Sequence, residues 1–162
     1  MLSESTRMSS AAEARFRVQA SPSMSRALNV IALDPACDGV VARLATHSWN
    51  GVAFFPASAL RETAQTSSAA AAGHRIGSLL EEMAAADFVV MIASSGGDAQ
   101  GASLIGEICS LQRVTTTTLV VHAAPATDET LSKTLAQVRP WSLMVVVVSD
   151  ESYVESILRS FR

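Results

Sequence analysis

The sequence predicts an α/β fold, a Rossmann-like three-layer sandwich with a mainly parallel sheet of about five strands and helices on both faces. Three observations carry this. Short apolar runs with β-branched residues, such as Phe88–Ala93 and Leu143–Val148, alternate with segments whose apolar residues recur at helical spacing. Aromatic residues are only 5% of a chain that is 49% hydrophobic, so aliphatic side chains dominate, as a sheet covered on both sides requires. A glycine-bearing loop, Ser95-Gly-Gly-Asp-Ala-Gln-Gly101, joins one apolar run to the helical segment after it. Strand, glycine loop and helix N-terminus together form the geometry that holds phosphates.

The elements follow in order. Leu28–Leu33 reads as a first strand, ended by Asp34-Pro35. Val40, Val41, Leu44 and Ala45 then recur at helical spacing, which predicts a short helix from Asp38 to His47. Asn50-Gly51 makes a turn; Val52–Phe55 is a second strand, stopped by Pro56. From Ala57 to Gly73 the chain is Ala, Ser and Thr with few large apolar residues, a long connection with some helical character. Ile76, Leu79, Leu80 and Met83 give the i, i+3, i+4, i+7 pattern of a helix on a sheet. Strand Phe88–Ala93, the glycine loop and a helix to about Gln112 come next. Val114–Val121 is a fourth strand, whose four consecutive threonines suggest a solvated end or face. Thr127 or Asp128 caps a helix with Leu131, Leu135 and Val138 as its buried stripe, and Pro140 ends it. Leu143–Val148, nearly all apolar, reads as a fifth strand buried on both sides; Val154, Ile157, Leu158 and Phe161 line a last helix.

At 162 residues the chain makes one domain, placed at residues 26–162. Residues 1–25 hold seven serines, three arginines and two glutamates; that composition buries little apolar surface and predicts a flexible N-terminal tail. No apolar run approaches the roughly 18 residues of a membrane helix, so no membrane partner is expected. Acidic residues outnumber basic ones, 15 to 12, and Lys133 is the only lysine. Nucleic acid is therefore not expected as a partner either. Cys37 and Cys109 form no framework and no CxxC pair, which suits a reducing cytoplasm.

In a parallel sheet ligands bind beyond the carboxyl ends of the strands. Here that edge gathers Asp34, Cys37, Asp38, Ser95, Asp98, His122, Glu129 and Asp150. Asp98 reads as a loop carboxylate or a cap for the next helix before a metal contact, Asp38 as a helix cap, and Asp34 with Asp38 as a candidate site for a small cation or amine. Glu129 complements a helix dipole. Cys37 at a helix start would have a lowered pKa and with His122 could form a nucleophile pair, oriented by Asp34 or Asp150. His47 and His74 have no metal-like spacing. Trp49 and Trp141 precede strands and fit as plugs at the sheet ends.

With the elements in order, the chain resembles the nucleotide-binding N-terminal domain of the FtsZ/tubulin family. Asp87-Phe-Val-Val-Met-Ile-Ala is similar to the strand before that family's GGGTGTG loop, and Ser95–Gly101 stands where the loop would be. Leu104-Ile-Gly-Glu-Ile108 resembles the following helix, Gly51-Val-Ala-Phe-Phe55 the second strand written GVEFI, and Arg43-Leu44 the Arg-Met of the first helix. Pro125, with Glu129 four residues on, is similar to the PFxxEG loop whose glutamate reaches the ribose. The resemblance implies a bacterial, cytoplasmic protein of the cell-division class, with any nucleotide held by Ser95, Gly96, Gly97, Asp98, Gly101 and Glu129.

The departures fall on the ligand-contacting loops. The family's first loop is a run of glycines; here it is Asp34-Pro-Ala-Cys-Asp38. Proline lacks the donor, and each carboxylate about 4 Å from a phosphate would cost around 4 kcal/mol at an effective dielectric near 20. The Asn-Thr-Asp expected after the second strand is replaced by Pro56-Ala-Ser, and the glycine loop has lost both threonines and a middle glycine, now Ala99. The family continues into a long central helix and a second domain whose acidic loop completes the GTPase site of the next subunit. Neither follows here, so GTP hydrolysis and family-type filaments are not expected.

Three functions remain open on these residues. The first is an FtsZ-like domain that has lost GTPase activity and serves regulation or assembly, with no cofactor and with a protein partner or copies of itself. The second is a binder of GTP, GDP or another anion through Gly96–Gly101. The third is a small enzyme using Cys37 and His122 on a flavodoxin-like sheet.

Overall fold

The computed structural model describes residues 26–65 and 69–161, the side chains of 62–76 excepted. The expected tail, residues 1–25, lies outside the described residues. Five strands, β1 (Leu28–Ala32), β2 (Val52–Phe55), β3 (Phe88–Ser94), β4 (Thr115–Val121) and β5 (Met144–Val148), form one sheet in the order β2-β1-β3-β4-β5. Every pairing is parallel, with Val30 opposite Phe54 and Val90, Met91 opposite Thr118, and Val120 opposite Val147. The direction of winding reverses between β1 and β3, and that switch point is where such sheets open a crevice at their carboxyl edge.

Among the described residues six helices flank the sheet: α1 (Asp38–Ala45), α2 (Ala57–Gln65), α3 (Ala69–Ala84), α4 (Gly101–Gln112), α5 (Asp128–Val138) and α6 (Ser152–Ser160). The alternation of strand side chains divides the core into two layers. On one face Ile31, Val89, Met91 and Val120 pack with Leu60, Leu79, Met83, Ile105 and Val138 of α2 to α5. On the other, Val30, Val90, Ile92 and Leu119 pack with Val40, Val41 and Leu44 of α1 and Val154 and Leu158 of α6. Val89 through Ala93 are wholly buried, as befits the central strand. No helix among the described residues is long and apolar enough to cross a membrane.

Three expectations change. The stretch after Ala57, expected as a connection with some helical character, is more helical than that, in α2 and the start of α3; alanine, arginine, glutamate and glutamine are good helix formers even without an apolar stripe. Of the four threonines only Thr115, at the start of β4, is half-exposed, while Thr116, Thr117 and Thr118 are buried. Thr116 Oγ1 donates to the Trp141 carbonyl at 2.7 Å, and Thr118 Oγ1 lies 2.6 Å from Ser142 Oγ, so their hydroxyls are satisfied inside the protein. Finally, β5 is not buried on both sides. It is one of the two sheet edges, with Met144 and Val147 exposed and Leu143, just before it, 81% exposed.

The two tryptophans do seat at sheet ends. Trp49 Nε1 donates to the Leu44 carbonyl at 2.7 Å, with its ring edge-on to Phe54 and under Arg159. Trp141 lies in the 3-10 turn after α5 and packs on Gly106 of α4, where a Cβ would stand 2.6 Å from that of Trp141.

Candidate functional site

The switch-point crevice lies between the loop after β1 and the loop after β3, and both fold inward on themselves. Residues 95–100 carry the chain from β3 into α4. Gly96 has φ +86, a conformation that disfavours a side chain. Its N–H donates to Thr134 Oγ1 at 2.9 Å, and the Ala99 N–H donates to Gln137 Oε1 at 3.1 Å. The Ser95 N–H goes to the Val121 carbonyl, the Gly97 N–H to the Ser94 carbonyl, and the Gln100 N–H to Asp98 Oδ1. A phosphate cradle works by leaving such amides free to converge on an anion. Here five amides of the loop already have partners.

Asp34 closes the crevice from the β1 side. Its carboxylate is 1% exposed and accepts from the Ser94 N–H at 2.7 Å, Ser94 Oγ at 3.0 Å and the Cys37 N–H at 3.2 Å. Asp38 does a similar service one loop away: its Oδ1 accepts from the Ala57 N–H at 2.6 Å, at the start of α2. The sequence reading set both carboxylates facing a ligand, or forming a cation site, with Asp38 capping its own helix. They face backbone amides instead, because an acidic side chain beside the unsatisfied N–H groups of a turn or helix start finds its donors there. Among the described residues no group of three His, Cys, Asp or Glu side chains could hold a metal.

Cys37 and His122 bond to different neighbours. The Cys37 thiol is buried and lies 3.6 Å from Asp34 Oδ2. Burial, then the Asp34 charge, push its pKa far above the ordinary 9.0; the expected lowering is reversed. His122 Nδ1 lies 3.0 Å from Ser95 Oγ, which in turn lies 3.2 Å from Thr130 Oγ1. His122 Nε2 stands 3.9 Å from Asp128 Oδ1.

Asp98 is exposed and bonds only within its own turn, to the Gln100 N–H at 3.1 Å. Glu129 is exposed in the first turn of α5 and pairs with Lys133 at 2.8 Å. Asp150 accepts from the Ser152 N–H at 2.7 Å, and its hydrogen bonds to Ser152 hold its carboxyl below the usual range. Ser95, Gly96, Gly97 and Asp98 thus share one loop and Gly101 begins the helix after it, while Glu129 pairs with its lysine.

Two open clefts flank the edge. One of about 330 Å³ is lined by Leu33, Leu60, Arg61, Asp98, Gln100 and Gly101 among others. The other, about 500 Å³, lies between α1 and α6; Arg43 and Glu151 (2.6 Å) and His47 and Glu155 (3.3 Å) pair across it. The residues that the sequence reading missed are Ser94, Thr130, Thr134 and Gln137. The last three stand at i, i+4 and i+7 on one face of α5, a polar stripe whose spacing was there to be seen.

These features define an α/β domain of the doubly wound class, with its loops gathered at the carboxyl edge of a parallel sheet. Among solved structures, the protofilament of TubZ from bacteriophage PhiKZ matches it with a TM-score of 0.53 at 12% identity, over 82% of this chain. The chain therefore has a tubulin/FtsZ-like fold, and it spans 55% of the TubZ chain. No protein-family model matches the sequence, and no curated protein matches it.

Proposed function

We propose that this chain is an FtsZ-like domain without GTPase activity that works as a regulatory or assembly module through contacts with protein, a partner or further copies of itself. The observation that carries the reading is the self-satisfied glycine loop. Gly96 and Ala99 donate to Thr134 and Gln137, and the loop's start is tied to the Asp34 carboxylate. To bind a triphosphate, the loop would have to break these bonds and bring a carboxylate against an anion. The likeness of fold to a protein described as a protofilament supports an assembly role; the exposed apolar edge at Leu143, Met144 and Val147 supports contact with protein.

Thermal melting with GTP, GDP or ATP, each with magnesium, tests this. A ligand at 100 times its Kd adds about 2.7 kcal/mol to stability, a shift of several degrees. We expect no shift with any nucleotide. A shift specific to guanine nucleotides overturns the reading and moves the site to Gly96, Gly97, Gly101 and Glu129.

A further inference from the structure

Among the described residues Asp34 is the only buried acidic side chain, and its surroundings are those of a bound anion. A main-chain N–H and a hydroxyl of Ser94 and the N–H of Cys37 converge on the carboxylate from the ends of two neighbouring strands. Gly97 lies over it so closely that a Cβ there would come within 2.6 Å of Oδ2 and 2.5 Å of Ser94 Oγ. Backbone amides, a hydroxyl and a glycine that admits the anion are what a loop uses to hold a small oxyanion. Here the chain supplies the anion itself.

We propose that Asp34 is a resident anion, filling a small-oxyanion site at the β1–β3 switch point and holding its two loops in one arrangement that needs no ligand. This rests on the reading of a domain that does not bind nucleotide, and adds what occupies the crevice in the nucleotide's stead. The donors remain when the side chain is removed, so the emptied site takes a carboxylate of formate size. The surface that these loops present is accordingly constant, and no nucleotide state governs assembly through it.

The test removes one carboxylate and offers another. Asp34→Gly loses the tie between the loops and melts at a lower temperature. Sodium formate restores several degrees, whereas sodium chloride at equal ionic strength does not, and the unaltered protein responds alike to both salts. Asp34→Ser guards against a glycine variant that fails to fold: its hydroxyl keeps a cap for the Cys37 N–H but cannot span to Ser94, and it acquires the same dependence on formate. A second measurement needs no added ligand. Gly97→Ala lowers the melting temperature of the unaltered protein because the new methyl group meets Asp34 and Ser94; in the Asp34→Ser background the drop is smaller, because of these two contacts only the one with the Ser94 hydroxyl remains. A folded Asp34 variant that melts identically in formate and chloride overturns the proposal, as does a Gly97→Ala drop equal in both backgrounds. Failure of the underlying reading shows elsewhere, as a guanine-specific shift in protein that retains Asp34.

Discussion

At the scale of single residues, Cys37 and Cys109 illustrate how surroundings override position. A thiol at a helix start is expected to ionise early, yet Cys37 sits in the core beside a carboxylate, and both effects favour the neutral form. Burial pushes Cys109 up to about 11. Each thiol holds its proton more tightly when folded than in the unfolded chain, so the associated stability is fully present below pH about 9 and is lost as pH rises through the folded value. For Cys109 that window runs from 9.0 to about 11. Cys109→Ala should therefore show a shallower fall of melting temperature between neutral pH and pH about 10 than the parent does. Identical slopes would show that the thiol does not titrate as described. The types of the edge residues could be read from the sequence, but their direction could not. Whether Asp34 faces a ligand or an amide depends on Ser94, sixty positions away in the chain and brought close only by strand pairing.

The helices carry their own tests. Thr127 caps α5 in a reciprocal pair with Thr130, each side chain accepting from the other's N–H; Thr127→Ala should cost about 1 kcal/mol in a denaturant titration. Gly106 faces Trp141 with no room for a methyl group, so Gly106→Ala should cost about 1–3 kcal/mol through overpacking. Arg113 ends α4 in a left-handed conformation, φ 57. That geometry is strained for arginine, and Arg113→Gly should raise stability, by no more than about 1 kcal/mol. All five strands, and the helices with an apolar stripe, were legible because periodicity is a local signal. The burial of Thr116 and Thr118 was not legible because their partners, Trp141 and Ser142, belong to a turn more than twenty positions on. The apolar run of β5 signalled strand correctly, but no composition tells an edge from an interior position when the strand is Met-Val-Val-Val-Val.

For the whole molecule, the α/β architecture followed from alternation alone, and its likeness in fold to a TubZ protofilament agrees with it. The site did not follow in the same way, since its character is set by which amides are already taken. The unguarded edge has a consequence for solution behaviour. Natural edges are usually protected by charge or by proline, and the exposed residues here, Leu143, Met144 and Val147, are apolar. Val147→Lys should reduce concentration-dependent light scattering while leaving the melting temperature nearly unchanged, because Val147 is already 44% exposed; scattering that stays the same would clear this edge of any part in association.

The bond from the Ser94 amide to Asp34 also bears on time. As the chain leaves the ribosome, the first loop has no counterpart until β3 has been made, because both donors on Ser94 come sixty residues after the acceptor. Early in synthesis Asp34 is a hydrated carboxylate like any other. Once the tie has formed, the Ser94 proton can leave only when the Asp34 side chain draws away from the end of β3. In deuterated water its exchange should slow once the tie forms, its lifetime reporting how rarely the two loops separate.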